Sequence, residues 1–364
     1  MASDSVTGQS RAPRVLAFAW LVLFVALVVG AVAITFLGNP RAGQSVVVMD
    51  VPQPHPATIL ATPKPEQANT AALPQTQPGI VPPPSPLAPP QKITTPQYAG
   101  RALIADPALV ENTPEGPLPR IADDGTTPMR AYAPPTLSDG RPRIVIVIAG
   151  LGISAKATQS AIDGLPAGVT LAFAPYAADV QQWAAQARRV GHEVLLEVPM
   201  EPYDFPDSDP GPHTLRSGTG EDANTERLVW ALTRFSGYAG VTNLLGGRFL
   251  SDANSLEPMM TYLARRGLLF YDNGQAAHSA GPDVAARTGA AFVQADSTID
   301  KIQTAMEIDH RLSGLETLAR SRGSASGAGF LYPITVDRVK SWASGLSGRG
   351  FVLVPASAIV SASK

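Results

Sequence analysis

Cysteine is absent from this chain of 364 residues, which removes disulfides, thiolate nucleophiles and the commonest zinc clusters. A concentrated basic face is missing as well: 28 Lys and Arg against 30 Asp and Glu leave a net charge of -2, with the cations scattered. Nucleic acid is not an expected partner, because phosphate binding needs Lys and Arg gathered on one side. No serine sits in a nucleophile elbow, so a Ser-His-Asp triad has no starting point.

What the N-terminus does contain is an uncharged run from Val15 to Leu37, long enough at 1.5 Å per residue to cross a hydrocarbon core of about 30 Å. Arg11 and Arg14 stand just before it, which predicts a cytoplasmic tail at 1–14 and a single-pass anchor at 15–37 in the inner membrane. The rest of the chain is then periplasmic or otherwise extracytoplasmic. A cleaved signal peptide is the alternative, with Ala31-Val32-Ala33 as its cleavage pattern, but the run exceeds the usual h-region. Most of the 35 prolines lie between Pro40 and Pro142. Residues 38–100 read as a Pro-rich, extended tether, and 101–142 carry apolar residues that suit packing on the domain that follows. Within that segment Asp123-Asp124-Gly125 has the chemistry of a turn.

From Arg143 to Lys364 the pattern alternates. Strands are expected near Ile144–Ala149, Val169–Ala174, Glu193–Val198, Gly240–Leu244, Leu268–Asp272, Ala291–Ala295, Gly327–Leu331 and Phe351–Val354. Helices are expected at Val180–Arg189, Glu226–Phe235, Glu257–Arg266, Ile302–Ser321 and Thr335–Ser344, with Gly191, Gly267 and Gly323 as stops. Such strand-helix units predict an α/β fold with a parallel sheet, a distorted (β/α) barrel of seven or eight strands, with an open doubly wound sheet as the alternative.

Either architecture puts its site at the carboxyl ends of the strands. The first strand ends Ala149-Gly150-Leu151-Gly152 and, with Ala155, spells G-x-G-x-x-A. A dinucleotide is nevertheless not expected, because the second strand ends Phe173-Ala174-Pro175-Tyr176 and offers no acid for a ribose. In the third strand, Glu193, Leu195 and Glu197 share a face, so Glu197 could point into a barrel mouth; an arginine partner is the competing reading of its charge. His192 reads as a surface or capping residue. The loop after this strand carries Glu201 at its start, then His213 and several aspartates, and has the character of a binding wall. Asn243 and Arg248 close the fourth strand as polar groups able to hold a sugar or an acid, and Asp272 is the expected carboxylate of the fifth. No pair of histidines falls at these ends, so no metal-hydrolase set of N and O ligands assembles from them.

The blocks "VIAGLG", "GHEVLLEVPMEP", "PGPHTL", "GYAGVTNLLGGRF", "LLFYDN" and "GFVLVP" make the segment from Arg143 to about Ser357 resemble the divergent polysaccharide deacetylase family. The resemblance implies a distorted (β/α) barrel related to esterases that remove N-acetyl groups from glycans with a divalent metal. In metal-competent relatives an Asp-Asp pair ends the first strand and falls here on Ala149 and Gly150; the three histidines of the pattern fall on Glu197, Leu244 and Phe330. The metal expected of the family therefore has no ligands here, and no cofactor is expected. The frame survives at Pro199, Met200, Glu201, Gly211, Pro212, Leu215, Gly240, Asn243, Gly246 and Asp272. Two functions follow as expectations: binding of an envelope glycan or envelope protein without turnover, through Glu201, His213, Asn243 and Arg248, or hydrolysis of a glycan by a site rebuilt on Glu197 and Asp272, two carboxyls being the minimum for metal-free acid-base chemistry.

Overall fold

The computed structural model describes residues 105–136 and 139–360. The anchor expected at 15–37 and the tether at 38–100 lie outside the described residues; among those described, no helix is long and apolar enough to cross a membrane. The first elements are an antiparallel hairpin, β1 (Val110–Thr113) and β2 (Gly116–Pro119), and a short helix, α1 (Pro128–Tyr132). Leu109 and Leu118 are buried, and the Arg266 guanidinium reaches both Glu111 (2.6 Å) and the carbonyl of Pro119 (3.0 Å). Asp123-Asp124-Gly125 is a turn, in which the Asp124 carboxylate accepts from the Thr126 N–H at 2.8 Å and is held below its usual pKa by that bond.

The main sheet contains β3 (Arg143–Leu151), β4 (Thr170–Phe173), β5 (Val194–Met200), β6 (Gly240–Leu245), β7 (Leu269–Asp272), β8 (Phe292–Gln294), β9 (Ser297–Thr298), β10 (Ser324–Phe330) and β11 (Val352–Leu353). Its order is β8-β7-β6-β5-β4-β3-β10-β9, all parallel, with β11 paired beside the start of β3. This order winds in one direction, unlike a doubly wound sheet, which reverses at a switch point. Its two end strands, β8 and β9, are also consecutive in the chain: the Ala295 N–H donates to the Asp272 carbonyl and the Asp296 N–H to that of Ser326, both at 2.8 Å. One bent segment, 292–298, thus joins the ends of the sheet, and the parallel sheet curls into a barrel-like shell.

Side chains alternate between the two faces of this shell. Val145, Val147, Leu195, Leu269, Tyr271 and Ala328 pack inside it. Ile144, Ile146, Ile148, Leu196, Val241 and Phe270 pack outward against the helices. Both faces are buried, which is why β3 reads as an unbroken apolar run. The helices are α2 (Ala155–Gly164), α3 (Val180–Arg189), α4 (Glu221–Leu232), α5 (Gly247–Ser251), α6 (Ala253–Arg265), α7 (Gly281–Thr288), α8 (Ala305–Arg322) and α9 (Pro333–Ser344). The stops expected at Gly191, Gly267 and Gly323 have φ of +98°, +65° and +81°, the left-handed turn that glycine enters without a Cβ penalty.

Candidate functional site in the barrel mouth

The mouth is built from the last residues of β3 to β7 and β10. At the end of β3 the register shifts between Ile148 and Leu151, and Gly150 takes φ +86°. That twist turns the Gly150 N–H toward the Glu197 carboxylate, which accepts it. The next glycine, Gly152, donates to the buried Thr158 hydroxyl at 2.8 Å. The Gly-x-Gly corner is therefore a turn closed by the chain's own side chains.

Glu197 stands on the inner face of β5, two residues beyond Leu195. To reach Gly150 on β3 it crosses the line of β4, whose inward position there is the small Ala172. It is 1% exposed, and among the described residues its bonded partner is the Gly150 N–H and no arginine or lysine, so the competing reading of an ion pair finds no support there. Burial, opposed only by the Gly150 bond, pushes its pKa up to about 7. Thr242 is its register neighbour on β6, and that hydroxyl is buried without a hydrogen-bond partner among the described residues.

Asp272 does not join it. Leu269 and Tyr271 face the barrel interior, so alternation turns Asp272 toward the helices. Fully buried there, its carboxylate accepts from the Gly274 N–H (2.9 Å) and the Gln294 amide (3.1 Å). The expected pair of carboxyls in one cavity is corrected on this point: Asp272 holds a turn and the β7–β8 edge. Asn243 is also committed to the frame. Its amide donates to Asn273 Oδ1 (2.8 Å) and its oxygen accepts from the Asn273 N–H (2.9 Å), while the Asn273 amide returns a bond to the Asn243 carbonyl (2.8 Å). This reciprocal tie joins the ends of β6 and β7 and takes up the Asn243 side chain, while Asp272 is held separately by Gly274 and Gln294.

The rim is different. Glu201 anchors the 203–220 loop by accepting from the Ser217 N–H at 2.7 Å, and its carbonyl accepts from the Arg248 and Phe249 N–H groups at the start of α5. Arg248 lies 3.5 Å from the Glu201 carboxylate with its side chain 55% exposed, so its remaining donors face solvent. His213 is not near any cluster of acids. Its ring stacks on Trp230 at 3.7 Å, and partial burial, with Arg234 and Arg227 nearby, lowers its pKa. His192, expected at the surface, is buried, with its two ring nitrogens against the carbonyls of Val169 (2.9 Å) and Ile162 (3.2 Å); the residue anchors the lower end of β5. Asp300 shapes the site without any local signal of that role in the sequence. Its carboxylate accepts from the Phe330 N–H (2.7 Å) and the Thr335 hydroxyl (2.8 Å) and so pins the turn that ends β10; burial raises its pKa.

A divalent metal needs converging N and O donors. The strand ends offer Ala149, Gly150, Glu197, Leu244 and Phe330, and among the described residues no three His, Asp or Glu side chains come together as a ligand set. The donor set present does not fit the metal of the fold.

The divergent polysaccharide deacetylase family model matches residues 146–360, more than half of the chain, and the chain belongs to that family. It is similar to YibQ of Escherichia coli strain K12, at 26% identity over 195 residues, 53% of this chain and 60% of that protein; the match thus covers less than two thirds of the relative's length. A Haemophilus influenzae protein is 22% identical over 201 residues, 55% of this chain and 71% of its own. A crystal structure of an Agrobacterium tumefaciens C58 protein superposes with a TM-score of 0.66 at 39% identity, covering 67% of this chain and all of that one.

Proposed function

We propose that this chain is a membrane-anchored envelope protein whose extracytoplasmic barrel binds an envelope glycan without metal-dependent deacetylation. One observation carries the reading: the cavity that would house a catalytic ion is crossed by the Glu197 side chain, bonded to Gly150, and walled by Ala149, Leu244 and Phe330. Without a Lewis acid, nothing in that cavity polarises an amide carbonyl or lowers the pKa of an attacking water. Hydrolysis by paired carboxyls loses its support as well, since Asp272 faces away from Glu197. The apolar run at 15–37 and the Pro-rich stretch after it support the anchored, extracytoplasmic placement, and the exposed rim of Arg248 and the 203–220 loop supports a glycan as ligand.

Incubating the full chain with N-acetylated chito-oligosaccharides and with peptidoglycan fragments, with and without added Zn²⁺, tests this directly. No acetate and no shortened product above a protein-free blank is expected. Metal-dependent acetate release at catalytic turnover would overturn the reading.

A further inference from the structure

Most of the exposed large apolar side chains sit on the loops that follow the strands: Ile153, Tyr176, Tyr203, Ile302 and Tyr332. Two of the tyrosines are held in a way the others are not. The Tyr203 ring lies against Gly247, where an added Cβ would come within 2.6 Å of the ring edge. Its hydroxyl is fixed to the Ser251 hydroxyl at 2.6 Å, yet the residue remains 58% exposed. Tyr176 repeats the arrangement after the neighbouring strand: a Cβ on Gly211 would meet its hydroxyl at 2.5 Å, its hydroxyl accepts from the His213 N–H, its ring leans on Trp230 at 5.0 Å, and it is 39% exposed. Each ring is thus set against a glycine and held at its hydroxyl, with Tyr203 largely and Tyr176 partly open to solvent. Arg248 stands next in sequence to Gly247, with free donors.

We propose that Tyr203 and Tyr176 are stacking platforms for pyranose rings of a glycan laid across the rim, with Arg248 donating to the sugar's hydroxyl or amide oxygens beside Tyr203. This rests on the glycan-binding reading above and adds the residues that make the contact. A tyrosine presents a large amphipathic face at low conformational cost, and one already pinned loses little more when a ligand covers it. The pinning also accounts for Gly211 in "PGP" and Gly247 in "GGR", which sit where any side chain would displace a ring.

Affinity of the full chain for N-acetylchitotetraose and for a peptidoglycan disaccharide-peptide, measured calorimetrically, tests the proposal. Tyr203→Ala is expected to weaken binding about tenfold or more, the usual loss for an aromatic anchor, while Tyr203→Phe, which keeps the ring, stays close to native. Tyr176→Ala weakens it to a smaller degree, and Tyr332→Ala, on an exposed ring after β10 with no such backing, does not. Native-like binding by Tyr203→Ala and Tyr176→Ala would overturn the platforms while leaving glycan binding intact. Failure of the native chain to bind either probe would overturn both readings together.

Discussion

Glu197→Gln is expected to be more stable than the native chain at pH 8.5 and no more stable at pH 5. The folded-state pKa of Glu197 stands at about 7 against an ordinary value of 4.5. Between those values the native state holds a proton that the unfolded chain has released, so native stability falls as pH rises through that window. Above it the full cost of a buried, unpaired carboxylate is present, at most about 3 kcal/mol for a shift of this size. Glutamine still accepts from the Gly150 N–H and does not titrate, so that loss disappears. At pH 5 the variant instead carries an amide with unplaced donors, which costs about 1 kcal/mol. Urea midpoints across this range should cross for the two proteins; parallel pH profiles would show that Glu197 is solvated or paired. Some slope remains in the variant, because burial also raises the pKa of Glu193 at the lower end of the same strand.

Gly240→Ala is expected to cost about 4 kcal/mol, among the largest losses for a single methyl. A Cβ at Gly240 would lie 2.2 Å from the Leu269 carbonyl oxygen and 2.6 Å from its Cβ. Both belong to β7, the paired neighbour in register. Backbone of an adjacent strand cannot rotate away as a side chain can, so the β6–β7 ladder has to open at its lower end. That ladder carries the Asn243–Asn273 tie at its upper end, so the site should loosen too. Gly314→Ala in α8 is the matched control: nothing lies within 4 Å of its added Cβ, and a helical glycine replaced by alanine is stabilising by about 0.5–1 kcal/mol. Chemical denaturation of both reads the contrast, and an equal effect at the two glycines would contradict the close approach at β7.

The sequence made some of this legible for plain reasons. A six-residue, β-branched apolar run bounded by Arg143 and a glycine pair suits a strand buried on both faces, and the structure extends it to Leu151. The helix expected at Val180–Arg189 is found with those bounds. Glu197 was placed in the mouth by counting along one strand. Asp272 was misplaced because "LLFYD" is apolar on either parity, and only the barrel decides that Leu269 and Tyr271 are the inner set. His192 looked like a surface group because the carbonyls that receive it, Val169 and Ile162, belong to other elements. The seam of the barrel was illegible for a similar reason: the bend at 295–296 joins strands that meet only in three dimensions. Tyr203 carries a local signal, an aromatic beside a Pro-rich loop, but its partner Gly247 lies just past the end of the neighbouring strand, 44 positions on in the chain.

Titrating Zn²⁺ into the metal-free native chain at neutral pH is the most direct measurement of the central claim, that the mouth has exchanged an ion site for a carboxyl bonded to backbone. Heat of dilution alone, or weak binding that Glu197→Ala leaves unchanged, is the result this structure predicts. One equivalent bound tightly and lost on Glu197→Ala would show that the mouth still gathers ligands around a cation, and would contradict it.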